Sequence, residues 1–378
     1  MLPPRKGRKG RTQPGATANQ RRIAQLRRMP PIRATVPPLP IAAWQAYAKD
    51  LRAVAKGATD IMRRTVLVAV QEQARLAELY RDREEEPEEE APTDNPPEVK
   101  RAAEQNRPSL RPSAQLSLPF AIAQAQRTFT EQIEQYTVSI PIPKILGPAG
   151  ERINVTNQRA QARISDTLGL RAVEPKTQLA AAASAWTKTN AALIVSQPAE
   201  VADRVRNIVN EMVPAGARWE TIAKRLVQEE GIAQRRANLI ARDQTSKYNA
   251  DLTRIRQTGC GITHYEWRGV MDARERPSHV ALQGLIFAWD KPPPIGHPGE
   301  SIQCRCQPSP VVSSRGIAKT TNLTEADLVN RVAALGPTQR EGPNATAEQV
   351  RKRAAAEVAS DIRLANRRET VRAETGGP

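Results

Sequence analysis

Along most of this chain apolar residues recur every three or four positions, the spacing that puts them on one face of a helix. Trp44, Tyr47, Leu51, Val54 and Ala58 follow it and predict one long helix over 41–83. A second helical stretch starts at 114, and the prolines and glycines of "SIPIPKILGPAG" predict a break before helix resumes. The run "QLAAAASAWTKTNAALIV" favours helix by propensity. Beyond Pro198, the residues Val201, Val205, Ile208, Val209 and Met212 trace one helical face that Pro214 and Gly216 end. Trp219, Ile222 and Leu226 predict a further helix up to Gly231, and "IAQRRANLIARDQTSKYNADLTRIRQTG" predicts another, ending at Gly259.

After Gly259 the period changes to two. "THYEWRGV", "LIFAW" and "SIQCRCQ" are short, alternating and separated by Gly and Pro, which predicts brief strands. On such a strand Ile302, Cys304 and Cys306 share one face, toward Tyr265, Trp267, Phe287 and Trp289, and Arg305 points the other way toward a carboxylate or a partner. From 313 the sequence returns to charged, Ala-rich helix. The expected fold class is α+β, a mainly helical chain with a small strand-containing module near its C-terminal end.

Charge changes the picture at the N-terminus. The 378 residues carry a formal charge of +17, and residues 1–40 hold ten Lys or Arg and no Asp or Glu. No periodic apolar face is evident there, so a disordered basic arm is expected, with Arg5, Lys6, Arg8, Lys9, Arg11, Arg21, Arg22, Arg27 and Arg28 available to a polyanion. The acidic, Pro-rich "REEEPEEEAPTDNPPEVK" predicts a solvated linker over 84–113. No apolar run approaches the roughly 20 residues of a spanning helix, and the N-terminus lacks the hydrophobic region of a secretory signal. A protein made in a cytosol, with no membrane partner, is expected.

All three cysteines and all three histidines lie between Cys260 and Cys306. Cys304 and Cys306 on one strand would have Cα atoms about 6.6–6.8 Å apart, at the upper limit of disulfide geometry. Three readings stay open: the pair fills a core as small hydrophobes; a zinc ion is drawn from Cys260, His264, His279, His297, Cys304 and Cys306; or Cys260 pairs oxidatively with one of the others. The spacings match no pair of close metal-binding knuckles, so no cofactor is the baseline expectation and zinc its rival. "DARERPSHVALQG" offers either a polar network holding a loop or an acid/base set around Asp272 and His279.

These same stretches carry a resemblance. "LIARDQTSKYNADL", "YEWRGVMDARERPSHVALQGLIFAWDKPPP" and "PGESIQCRCQP", in that order, resemble the head-morphogenesis domain of phage Mu F-like minor capsid proteins. The positions that match are Arg242, Asp243, Thr245, Asn249, Asp272, Arg274, Arg276, His279, Gly284, Pro298, Gly299, Cys304 and Cys306. The resemblance places a head-morphogenesis module at 239–312, after the arm at 1–40, the helix at 41–83, the linker at 84–113 and a helical region at 114–238, with a charged helical tail at 313–378. It implies a virion protein enclosed in the procapsid near the portal vertex, made in the host cytoplasm. Portal protein and a major capsid or scaffolding protein are the implied partners, packaged DNA would meet the basic arm, and no small-molecule substrate is implied. Similar domains occur in modular toxins fused to catalytic domains, so the module itself is expected to be non-enzymatic. A metal-dependent nuclease or hydrolase using His279 and Asp272 is the alternative, and a nonspecific nucleic-acid binder a third.

Overall fold

The computed structural model describes residues 14–30, 32, 39–85, 111–338, 342 and 344–375. The described chain is mainly helical with one three-stranded antiparallel sheet, in the order β2-β1-β3. Its helices are α1 (Pro14–Leu26), α2 (Ile41–Met62), α3 (Val68–Glu85), α4 (Arg111–Ser139), α5 (Ile142–Leu168), α6 (Lys176–Met212) and α7 (Trp219–Gly259). Then follow β1 (His264–Arg268), α8 (Pro277–Val280), β2 (Ile286–Ala288), β3 (Gln307–Val311), α9 (Ser314–Ile317), α10 (Glu325–Ala333) and α11 (Ala347–Thr375). The chain divides into two units, one of residues 49–142 and 193–238, the other of 1–48, 143–192 and 239–378.

Among its described residues the first unit holds helices joined by short turns, and no strand. The expected helix over 41–83 exists, with a π-helical turn at Arg63–Leu67 between α2 and α3, and Leu51, Val54 and Ala58 are buried as their spacing predicts. Ile122, Phe129 and Ile133 of α4 are buried, and α4 packs on that turn and on α3. Tyr136 lies across Gly57, where a Cβ would overlap its ring, and its hydroxyl donates to the Val54 carbonyl at 3.0 Å. Glu229, 1% exposed, accepts from Arg204 Nε at 2.6 Å. The acidic segment 86–110 lies outside the described residues, and 84–85 and 111–113 belong to helices.

The break expected in "SIPIPKILGPAG" is present but short, and the helix end expected at Gly231 is absent. Between α4 and α5 only Ile140 and Pro141 are non-helical; Pro143 falls in the first turn of α5, where its missing N–H has no intrahelical partner to lose, and Pro148 lies inside the helix. Pro198 does not interrupt α6, nor does Gly231 interrupt α7. Ile194, Val201 and Val205 are buried on both sides of Pro198. Their burial, worth about 1.5–3 kcal/mol each, outweighs the one lost hydrogen bond. The ends at Met212 and Gly259 are as expected, with Gly216 at φ +68° and Gly261 at φ +86° turning the chain.

The N-terminal expectation needs correction where it is described. Residues 14–26 are helix α1, and Ile23 and Leu26 are buried with Ile164, Leu168, Leu170, Cys260, Ile262 and Val312. Asn19 exchanges hydrogen bonds with the Arg171 backbone, accepting at 2.8 Å and donating at 2.9 Å, and Arg22 donates to the Leu168 carbonyl at 3.0 Å. Two apolar residues and one amide anchor this segment, too few to register as a periodic face. Residues 1–13, 31 and 33–38, with Arg5, Lys6, Arg8, Lys9 and Arg11, lie outside the described residues. Arg21, Arg27 and Arg28 are exposed.

The module also extends further than expected. Leu328, Val329 and Val332 of α10 and Ala354 and Val358 of α11 are buried in the same core as Tyr265, Trp267, Phe287, Trp289, Cys304 and Cys306. Residues 313–378 therefore contain helices that complete the module, not a separate tail.

Candidate functional site

β1 alternates as its sequence predicts: Tyr265 and Trp267 point into the core while His264, Glu266 and Arg268 are half-buried. It pairs with β2 (Tyr265 opposite Phe287) and with β3 (Trp267 opposite Pro308, Tyr265 opposite Pro310). Gly284, at φ +77°, lets the chain reverse before β2 while its N–H bonds to the Trp267 carbonyl at 2.9 Å. The prolines of β3 are tolerated because that strand lies at the sheet edge.

The Cys-Arg-Cys stretch precedes this strand. β3 begins at Gln307, and residues 301–304 form a turn closed by Cys304 N–H to the Ser301 carbonyl at 3.0 Å. Ile302 projects into solvent at 39% exposure, correcting the expectation that it faces the aromatic cluster; the turn rotates it away. Cys304 and Cys306 do face that cluster, and Arg305 meets a carboxylate, donating to Asp272 at 2.6 Å from Nη1.

The turn is held from outside. Gln303 adopts the left-handed region, φ +57°, and its N–H is accepted by Asp243 Oδ1 at 2.9 Å. Gly299, at φ +88°, passes so close to α7 that a Cβ would come within 2.6 Å of Ala250 Cβ. Arg276 donates to the Ile302 carbonyl at 2.7 Å, and Pro298 is buried. Asp272 also accepts the Arg274 N–H at 3.0 Å, and Arg305, followed by Arg274, holds its carboxyl well below the usual carboxylate range. Asn249 accepts twice from Asn157 Nδ2, at 3.0 and 3.1 Å. Thr245 is buried, and its hydroxyl has no partner among the described residues.

Of the six candidate metal ligands, three come together. His279 Nδ1, Cys304 Sγ and Cys306 Sγ are all buried and lie within 4.8 Å of one another. The imidazole nitrogen is 3.4 Å from Cys306 Sγ and 3.5 Å from Cys304 Sγ. Cys304 Sγ also receives the N–H groups of Gly299 at 3.2 Å and Cys306 at 3.4 Å. The Cys306 thiol bonded to Cys304 pulls the latter's pKa down against burial, and His279 and the Gly299 N–H add to it. Burial alone would lower the pKa of His279, but the Cys304 sulfur beside it raises it. Cys306 is pushed up, first by Cys304, then by burial and by Glu275.

The other three candidates lie elsewhere. Cys260 packs in the α1 cluster beside Ser165, 3.8 Å from its hydroxyl. His264 pairs with Thr263 at 2.8 Å, and His297 with the Tyr265 hydroxyl at 2.9 Å. All three cysteines are free and buried.

Beside the trio opens a cavity of about 270 Å³, its rim formed by Arg242, Arg274, Arg276 and Arg305 with Glu275 and Gln303, and His279 and Cys304 reach its wall. Burial lowers the pKa of Arg242, and the neighbouring Arg305 and Arg274 lower it further. Sequence reasoning passed over Glu275, whose Oε1 is 2.9 Å from Cys306 Sγ, although it stands four residues before His279 in the motif. It also missed Glu357 and Asp361 of α11, which accept from the Ser278 N–H at 3.1 Å and the Ser278 hydroxyl at 2.5 Å. Nothing in their local sequence marks residues so far along the chain.

Residues 203–309 match the family described as Phage Mu protein F like protein, and this match supports a phage head-morphogenesis protein. An uncharacterized protein of Haemophilus influenzae (strain ATCC 51907 / DSM 11121 / KW20 / Rd) is 36% identical over 132 residues, 35% of this chain. The chain covers 30% of that relative's length. No solved structure matches.

Proposed function

We propose that this chain, with its Phage Mu protein F-like segment at 203–309, is a minor capsid protein of a tailed bacteriophage that acts in head assembly at the portal vertex. The observation that carries the reading is the family match together with what its motif residues do in the fold. Asp243 fixes the turn before Cys304, Asp272 pairs with Arg305 and Arg276 holds Ile302, all contacts that shape a scaffold. Portal protein, and a major capsid or scaffolding protein, are the partners on this reading, with the protein enclosed in the procapsid. Among the described residues no helix is long and apolar enough to cross a membrane. Basic residues of the first 40 positions would contact packaged DNA through phosphate neutralisation.

Co-expression with the portal protein tests the assembly role. Retention of this chain on purified portal rings or in procapsids is the expected result, and its exclusion from both sinks the reading. A metal-dependent hydrolase is the second reading, favoured only by the arginine-rimmed cavity beside His279 and Cys304. DNA cleavage by the purified chain that is lost in Arg242→Ala, without loss of stability, would replace the first reading by the second.

A further inference from the structure

Nothing in the assembly reading accounts for two sulfurs turned toward one imidazole nitrogen inside a core. A cysteine that only fills space needs no donors, yet Cys304 Sγ accepts two backbone N–H groups. A neutral imidazole offers one Nδ1 proton, which serves one sulfur, whereas two sulfurs approach Nδ1 at 3.4 and 3.5 Å. A tetrahedral zinc ion with Zn–S of about 2.3 Å and Zn–N of about 2.0–2.1 Å sets N···S edges of about 3.5 Å. The two observed N···S separations match those edges.

The surroundings serve the same end. Glu275 is gripped by its other oxygen: Oε2 accepts the Met271 N–H, with Met271 at φ +59°. Gly269 leaves the room a Cβ would take, 2.4 Å from Oε1. That oxygen is aimed at Cys306 Sγ. His279 is fixed by its edge-on contact with Trp267 at 5.5 Å and by the backbone of the short helix α8, whose Ser278 is tied to α11. Gly299 and the left-handed Gln303 fold the 299–306 loop so that its N–H groups converge on Cys304.

We propose that Cys304 Sγ, Cys306 Sγ and His279 Nδ1 hold a zinc ion, with Glu275 accepting from Cys306 beside them, and that this ion closes the 299–306 loop onto α8. Two thiolates and an imidazole, all from buried positions, suit zinc by ligand softness. The site is independent of the assembly role: either can fail while the other stands.

The test uses the full chain purified without chelator. Metal analysis is expected to find about one zinc per chain, absent from Cys304→Ala, Cys306→Ala and His279→Ala and kept by Cys260→Ala. Because the ligand variants can fail to fold, the wild-type protein supplies the second measurement. Stripped of metal and titrated with Co²⁺, it should show thiolate-to-cobalt charge transfer and the intense visible bands of a tetrahedral site, displaced by Zn²⁺. Stripping should lower its melting temperature, and Zn²⁺ should restore it. Wild type that takes up neither Zn²⁺ nor Co²⁺, that shows cobalt bands without thiolate charge transfer, or that loses its metal in Cys260→Ala overturns the proposal.

Discussion

The helical unit of 49–142 and 193–238 and the strand-containing module that follows it are held in different ways. In the helical unit, residues such as Leu51, Ile133, Val205 and Leu226 each add a similar apolar contact, and the loss of a breaker's hydrogen bond at Pro198 is absorbed. In the module, short strands supply little regular hydrogen bonding, and the shape depends on contacts with one solution each: Asp243 on Gln303, Gly299 against Ala250, Arg305 on Asp272. Substitutions should therefore be tolerated in the first region where the same chemical change is punished in the second.

The largest effect is expected at Trp267. It is fully buried in β1, covered by His279 on one edge and within the cluster that includes both cysteines. Trp267→Ala should cost about 3–5 kcal/mol in denaturant unfolding, since the rigid strands around it cannot collapse into the space. A cost below about 1 kcal/mol would show that this core repacks as readily as a helical one.

A sharper comparison uses one substitution in both regions. Gly299→Ala places a Cβ within 2.6 Å of Ala250 and forces alanine to φ +88°. The strained backbone alone should cost about 1–3 kcal/mol. Gly231→Ala, inside α7, meets only the movable end of Arg235 at 3.3 Å and should stabilise by about 0.5–1 kcal/mol through helix propensity. Opposite signs in thermal or denaturant unfolding sustain the contrast, and equal signs break it.

The same contrast decides what was legible in the sequence. Helical faces repeat, so Tyr47, Leu51, Val201 and Val205 announced their burial, and the β1 alternation announced Tyr265 and Trp267. The helix end expected at Gly231 is absent because a local propensity says nothing of the burial that outweighs it. The site was visible in part: His279, Cys304 and Cys306 were among the candidates, but Cys260, His264 and His297 shared their residue types and only the folded chain separates them. The docking of α10 and α11 could not be read, since Ser278 and Asp361 are linked only through the fold.

The smallest effect is expected at Asp272, and it is a matter of pH. Arg305 and the Arg274 N–H hold its carboxyl below the range of an unfolded chain, so the folded state binds its proton less readily than the unfolded state does. The contribution is therefore fully present above the ordinary carboxylate pKa of about 4 and is lost as pH falls from there toward the depressed value. Asp272→Asn removes the charge at every pH, so the difference in melting temperature between wild type and variant should be constant from about pH 5 to 7 and shrink below about pH 4. The carboxylate is partly open to solvent, at 34% exposure, and salt should reduce the difference as it does for other exposed pairs. A difference that grows on acidification would mean that Asp272 is stabilised as the protonated acid, and that Arg305 is oriented by some other group.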